Sequence, residues 1–328
     1  MEGRNGGVLE QESDAPRALI FSGGTRLALA LAMIALLPAT AGAHGFAGKR
    51  FFPSTFAVED PFVSDELSFL VNHIKSPGEE AGEPSVRATS YAVDYAKRIT
   101  PRFGFSVGQE FLDLDFDGGG DESGFNNLEV GLKYQFLTSE EHEALLSFGV
   151  GAEIENTGSR SVGAEPFSVI SPALYFGKGM GDLPEGAKYL RPLAVTGVVG
   201  PNIPSQSSTT VGSDTTNNPT TLTWGLTLQY NLNYLQSYVK DVGLGAPFNR
   251  MSLVVEFPME TCMNRDCEGD TTGYVNPGIV WFGKKIQLGL AAQVPINSRT
   301  GDNVGVFALL HFFIDDIYPD TLGRPLFP

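Results

Sequence analysis

From 222 to 232 every second residue is apolar, Leu222, Trp224, Leu226, Leu228, Tyr230 and Leu232, while Thr223, Gly225, Thr227, Gln229 and Asn231 lie between them. Successive side chains of a β-strand point to opposite faces, so this run predicts a strand set between two unlike environments. The pattern recurs in Leu128/Val130/Leu132/Tyr134/Phe136, Leu146/Phe148/Val150/Ala152/Ile154 and Ile286/Leu288/Leu290/Ala292/Val294, with Gly, Ser, Lys, Gln or Glu at most intervening positions. Shorter examples are Tyr91/Val93/Tyr95, Phe103/Phe105/Val107, Leu253/Val255/Phe257 and Val304/Val306/Ala308/Leu310/Phe312. Apolar stretches near 67–75, 167–177, 190–199 and 274–282 bring the expected total to about twelve strands, each near the 9–11 residues a tilted strand needs to cross a bilayer. No segment shows a helical period of comparable strength. The expected fold is all-β and antiparallel.

Two architectures share such alternation. In a sandwich the apolar faces meet in a dry core; in a transmembrane barrel they face lipid and the polar faces line a wet lumen. Connection lengths separate the two. One set of alternate connections is mostly long and polar: 76–84, 113–124, 155–166, 200–220, 260–272 and 297–302. The other is mostly short: 100–102, 137–143 and 283–285, with a medium one at 177–189. That asymmetry is a property of outer-membrane barrels, and a sandwich has no reason for it. The stretch 233–250 breaks the rule, being long where a turn is expected; a short helix over 234–242 would account for it. Phe103, Tyr134, Phe136, Tyr175, Trp224, Tyr230, Trp281 and Phe312 fall near strand ends, where interfacial aromatic girdles belong.

Composition narrows the picture. Lys and Arg total 22 against 38 Asp and Glu, a net charge of −16, which excludes a nucleic-acid partner because phosphate binding needs clustered cations. No apolar run reaches the ~20 residues of a membrane-spanning helix. Residues 27–37, Leu-Ala-Leu-Ala-Leu-Ala-Met-Ile-Ala-Leu-Leu, follow Arg26 and precede Ala41-Gly42-Ala43, the layout of a signal peptide cleaved after Ala43. The expected organisation is then a signal peptide at 1–43, a periplasmic segment or plug at 44–66, a barrel of about twelve strands at 67–314 and a tail at 315–328. Outer-membrane lipid is the expected surrounding.

Gly273-Tyr-Val-Asn-Pro-Gly-Ile-Val-Trp281 and Val304-Gly-Val-Phe-Ala-Leu-Leu-His-Phe-Phe313, together with this layout over residues 60–315, resemble the outer-membrane β-barrel family named after the MetA pathway of phenol degradation. The resemblance implies passage of small, hydrophobic molecules and transfers no individual site residue. The tail 315–328 departs from it, since it runs past the last strand and ends with Phe327 next to last.

Strand parity assigns Asp94, Lys97, Glu110, Glu129, Lys133, Glu153, Gln229, Glu256, Gln287 and Gln293 to the lumen. A net acidic lining favours cations or neutral solutes over anions. Against this stands a lumen filled by its own side chains and by 44–66. Cys262 and Cys267, close together in a connection of an exported protein, are expected to form a local disulfide. Asp113, Asp115, Asp117 and Asp121 precede or flank a Gly run as in a calcium loop, but the twelfth position is Gly124 and not a bidentate Glu, so a solvated acidic loop is the plainer reading. His44 would offer copper an amine and an imidazole, yet His73, His142 and His311 have no spacing that supplies a second ring. No cofactor motif, G-x-S-x-G elbow or phosphate loop is present. The function expected is a passive channel; the alternatives are a closed barrel that binds through its acidic outer loops, and a barrel-embedded hydrolase using His311.

Overall fold

The computed structural model describes residues 45–76, 85–265 and 267–328. The expected signal peptide and His44 lie outside them. Twelve antiparallel strands form a closed barrel: β1 (Glu66–Ser76), β2 (Val86–Thr100), β3 (Phe103–Phe116), β4 (Leu128–Ser139), β5 (Ala144–Ile154), β6 (Val169–Gly179), β7 (Leu193–Pro204), β8 (Thr221–Asn231), β9 (Met251–Cys262), β10 (Thr271–Phe282), β11 (Ile286–Pro295) and β12 (Gly305–Phe313). Each pairs with its sequence neighbours, and β12 closes on β1 through pairs such as Leu309↔Leu70. Closure removes the unpaired sheet edges that lipid could not satisfy.

The alternation resolves as a barrel requires. Phe69, Tyr91, Val107, Leu132, Phe148, Leu174, Val199, Leu228, Leu253, Ile279, Leu290 and Val306, one on each strand, are all exposed on the outside. A soluble protein rarely shows an unbroken apolar belt of this extent; lipid is the solvent it suits. Their neighbours in sequence turn inward, and several are sealed from solvent, including Ser147, Thr196, Thr227, Glu256 and Gln287.

Several details differ from the sequence reading. Alternation in Leu112-Asp113-Leu114-Asp115 carries β3 on to Phe116, so Asp113 and Asp115 lie on a strand, paired with Thr89 and Arg87. A short strand, Asp121–Phe125, then folds back on β3. Within the expected loop 200–220, β7 continues to Pro204 and Ser208–Val211 pairs with Asp214–Asn217 as a small hairpin. The helical stretch after β8 begins earlier than expected, at Leu232, and ends at Val239, because the Asn231 side chain caps it by accepting from the Tyr234 amide at 2.9 Å. Tyr175 is no girdle residue: Ile170 and Leu174 take the outer face of β6, which turns Tyr175 into the lumen, where it is 6% exposed.

The first and the last of the described residues both bear on the rim that carries the short connections. Residues 45–52 form a tight turn of two-residue strands, Phe46–Ala47 against Arg50–Phe51. At its corner Gly48 has φ +60°, and a Cβ there would fall within 2.1 Å of the Glu140 carbonyl oxygen, so only glycine fits. At the other end, after a turn of helix at Ile314–Ile317, the amides of Leu326 and Phe327 donate to the carbonyls of Arg98 and Ile99 at 3.1 and 2.8 Å.

Candidate functional site

The site is the lumen, and its dominant feature is the segment 45–65, which enters it from the rim with short connections and returns to begin β1. Its path is traced by hydrogen bonds to inward-facing side chains. Arg50, fully buried, donates from Nε to Glu143 at 3.1 Å and from Nη1 to the Pro192 carbonyl at 2.9 Å, and stacks 3.8 Å over the Tyr234 ring. Tyr234 in turn donates its hydroxyl to the second Glu143 oxygen at 2.7 Å. Further in, Gln287 grips Ser54 by both backbone groups, accepting from its N–H and donating to its carbonyl. Glu256 accepts the amides of Phe56 and Ala57, one on each oxygen, at 2.7 and 2.9 Å. Val58 reaches deepest, lying over Gly225, six residues up β8 from its rim end.

The chain then descends along the opposite wall. Glu59 accepts from Lys133 at 2.6 Å and from the Tyr175 hydroxyl at 2.8 Å. Lys133 also holds the Asp60 carbonyl, Ser147 the Pro61 carbonyl, and Gln135 the Val63 amide. Asp65, wholly buried, closes the loop by accepting from Lys97 Nζ, the Arg98 amide and Arg98 Nε at 2.7–2.9 Å. Lys97 and Arg98 extend the lock to the C-terminal tail through the carbonyls of Leu322, Gly323 and Arg324. Two apolar contacts complete it: Phe56 with Val254, Val280, Ala291, Phe307 and Leu309, and Phe52 and Phe62 with Ala47, Leu145 and Ala194.

Above Val58–Asp60 a cavity of about 1220 Å³ opens toward the long connections, bordered there by Arg160 and by Thr209 and Thr216 of the 208–217 hairpin. It exceeds the roughly 300–1,000 Å³ of ordinary small-molecule pockets. Its charged border is acidic: Glu59, Asp94, Glu129, Glu153, Glu165 and Glu260 face only Lys133 and Arg160 among the basic side chains.

Of the side chains that parity assigned to the lumen, Asp94, Glu129, Lys133 and Glu153 border this cavity, and Glu153 accepts from Asn127 at 2.9 Å. Glu110 faces inward beside them, bonded by Asn126. Glu256 and Gln287 are spent on the segment; Gln293 accepts from Asn72 at 2.8 Å; Gln229 is buried below the cavity. Cys262 and Cys267 are joined by a disulfide across the β9–β10 connection. Asp115 and Asp117 are taken up by Arg87 and Lys75, and hydrogen bonds from Lys75 and Ser85 hold the Asp117 carboxyl below its usual range. His311 is fully buried between Ser54 and Ser68, 3.2 Å and 2.8 Å from its two ring nitrogens. Sequence reasoning placed Arg50, Glu59 and Asp65 in a segment that could plug the lumen, but assigned them no partners and did not single out Glu143 or Tyr234. The signal was present as charged residues beside aromatics in 49–66, but the segment's partners lie up to 257 positions away.

No protein-family model matches the chain, the MetA-pathway family included, and no curated protein matches it. Solved structures do. An outer-membrane channel from Pseudomonas putida F1 superposes with a TM-score of 0.54 at 13% identity, covering 80% of this chain and 99% of that one. The KdgM porin gives 0.44 at 11% identity and the NanC porin 0.46 at 8%, each over 75% of this chain and 98% of its own. The likeness is one of fold: a transmembrane β-barrel of the kind outer-membrane channels use.

Proposed function

We propose that this protein is a non-enzymatic outer-membrane channel for the passive passage of small neutral or cationic molecules, plugged from the periplasmic side by residues 45–65. The observation that carries the reading is the acidic cavity of about 1220 Å³ inside the barrel, floored by Val58–Asp60. A field of one sign in a confined lumen raises the local concentration of counter-charged solutes and repels like-charged ones. The likeness of the barrel to the Pseudomonas putida F1 channel supports the same class of function. The burial of His311 between two serines supports a holding role for it over a hydrolytic one.

The test is single-channel conductance of the refolded chain from residue 44 in a planar bilayer, first in symmetric KCl and then in a gradient. Current steps with a reversal potential of the sign for cation selectivity are expected. A folded, heat-modifiable barrel that stays silent would favour the second reading, a closed barrel acting through its outer loops, for which the extensive bonding of 45–65 to the walls is the supporting observation.

A further inference from the structure

The segment 45–65 rests on two unlike surfaces. Toward β9–β12 it inserts Phe56 among Val254, Val280, Ala291, Phe307 and Leu309, a dry contact with every atom suited to burial. Toward β7–β9 the barrel instead presents Thr196, Thr227, Gln229 and Ser252, none more than 2% exposed. Thr196 Oγ1, Thr227 Oγ1, both amide atoms of Gln229 and Ser252 Oγ have no hydrogen-bond partner among the described residues. These side chains form one patch. Thr196 stands opposite Thr227 in the ladder and Thr227 opposite Glu256; Gln229 lies one inward step nearer the rim, and Ser252, opposite Asn231, two.

Buried polar groups are almost always paired, because each left unpaired costs its full desolvation. Five such atoms on one patch, beside the apolar contact around Phe56, mark a surface suited to water. The patch also has a direction. It runs from below the acidic cavity toward the short-connection rim, with Glu256 at its upper edge, and β7–β10 contain no Lys or Arg.

Building on the channel reading above, we propose that residues 54–60 leave this wall in a second state, and that Thr196, Thr227, Gln229, Ser252 and the freed carboxylate of Glu256 then line a wetted conduit for small hydrated cations. Movement of the segment releases Glu256 from the Phe56 and Ala57 amides and gives the five unpaired atoms water partners. The cation then passes from the acidic cavity along oxygen-bearing side chains to the periplasmic rim.

The experiment is thiol accessibility. Both native cysteines are in the disulfide, so a new cysteine is the only thiol in the folded chain. Thr227→Cys is close to isosteric and, in the state described here, sealed. Folded protein in vesicles is treated with the cationic, water-soluble reagent methanethiosulfonate ethylammonium, with Glu129→Cys at the cavity as the open reference. Thr227→Cys is expected to react between about ten-fold and a thousand-fold more slowly than Glu129→Cys, as a state populated at 0.1–10% gives. A lock tests the cause. A Cβ on Gly225 would lie 3.0 Å from a Val58 methyl, so Val58→Cys with Gly225→Cys ties the segment to the wall.

In that background the Thr227→Cys reaction is expected to stop. No reaction at Thr227→Cys while Glu129→Cys is fully modified would overturn the proposal, as would equal reaction with the lock in place. Conductance recorded on the same protein keeps the two readings apart. Reaction without current would retain the movement and reject the channel, and current with an unreactive Thr227→Cys would do the reverse.

Discussion

Glu256 holds backbone amides two hundred residues away in sequence, and it holds them with both oxygens. Hydrogen bonds to an ionised acceptor are about twice as strong as neutral ones, and a glutamine can accept only on one side. Glu256→Gln is therefore expected to weaken the hold on residues 54–60 by about 1–3 kcal/mol. Trypsin reads this directly, since Arg50 is cleavable only when the segment withdraws; each 1.4 kcal/mol corresponds to about a ten-fold faster cut. An unchanged cleavage rate would mean the carboxylate is not what holds the segment. Asp65 is the tighter case, because its removal strands Lys97 and Arg98 as buried cations. Asp65→Ala should cost about 3–5 kcal/mol in a denaturant titration, and Asp65→Asn less. On the opposite rim Asp117 shows the pH consequence. Its carboxyl titrates below the ordinary value because Lys75 and Ser85 bond the ionised form. Its contribution is whole above the unfolded pKa of about 4 and is lost as pH falls through the depressed native value. Carboxyl-carbon NMR should find that low titration point, and should find it move up toward the ordinary one in Lys75→Met.

At the scale of elements, the strands were legible because a barrel wall has two solvents, lipid and lumen, and each strand records both at period two. Leu222 to Asn231 shows it most clearly, and all twelve strands follow. What the pattern could not show is structure without a period. Residues 45–65 bury Phe52, Phe56 and Phe62 at irregular spacing, and the side chains that grip the segment, such as Glu143, Glu256, Gln287 and Lys133, belong to the walls. Lumen membership was legible for Glu129, Glu153 and Gln287, since parity alone decides it. Whether such a residue borders open space or grips backbone was not, because that depends on where a separate segment lies. Tyr175 shows the same limit in reverse: near a strand end it reads as a girdle residue, and only the position of Ile170 and Leu174 turns it inward to meet Glu59. The β9–β10 connection yields an element-scale prediction. The Cys262–Cys267 bridge closes a loop of only six residues beyond a ladder that already pairs Thr261 with Thr271. The loop-entropy relation gives about 2 kcal/mol for so short a span. Cys262→Ser with Cys267→Ser should loosen amide protection within 262–270 in hydrogen exchange, while the heat-modifiable barrel persists in gel shifts.

For the molecule as a whole, the channel proposed above raises the question of what would set the sign of its selectivity. The chain is acidic throughout, and two populations of carboxylates could act on a passing ion: those in the outer connections, such as Asp121 and Glu122, and those around the cavity. Exposed charges are screened over a Debye length, about 10 Å at 0.1 M salt and about 3 Å at 1 M, so the outer set should matter little at high salt. The cavity set stands within the confined lumen, where Asp94, Glu129 and Glu153 oppose only Lys133 and Arg160. Charges confined by low-dielectric walls are screened far less. Neutralising all three as Asp94→Asn, Glu129→Gln and Glu153→Gln should shift the reversal potential in a KCl gradient toward zero at both low and high salt. Neutralising Asp121 and Glu122 should shift it only at low salt. If the outer pair proves dominant at 1 M salt, the ion is selected before it enters the barrel, and the cavity above Val58 is a vestibule with no say in selectivity.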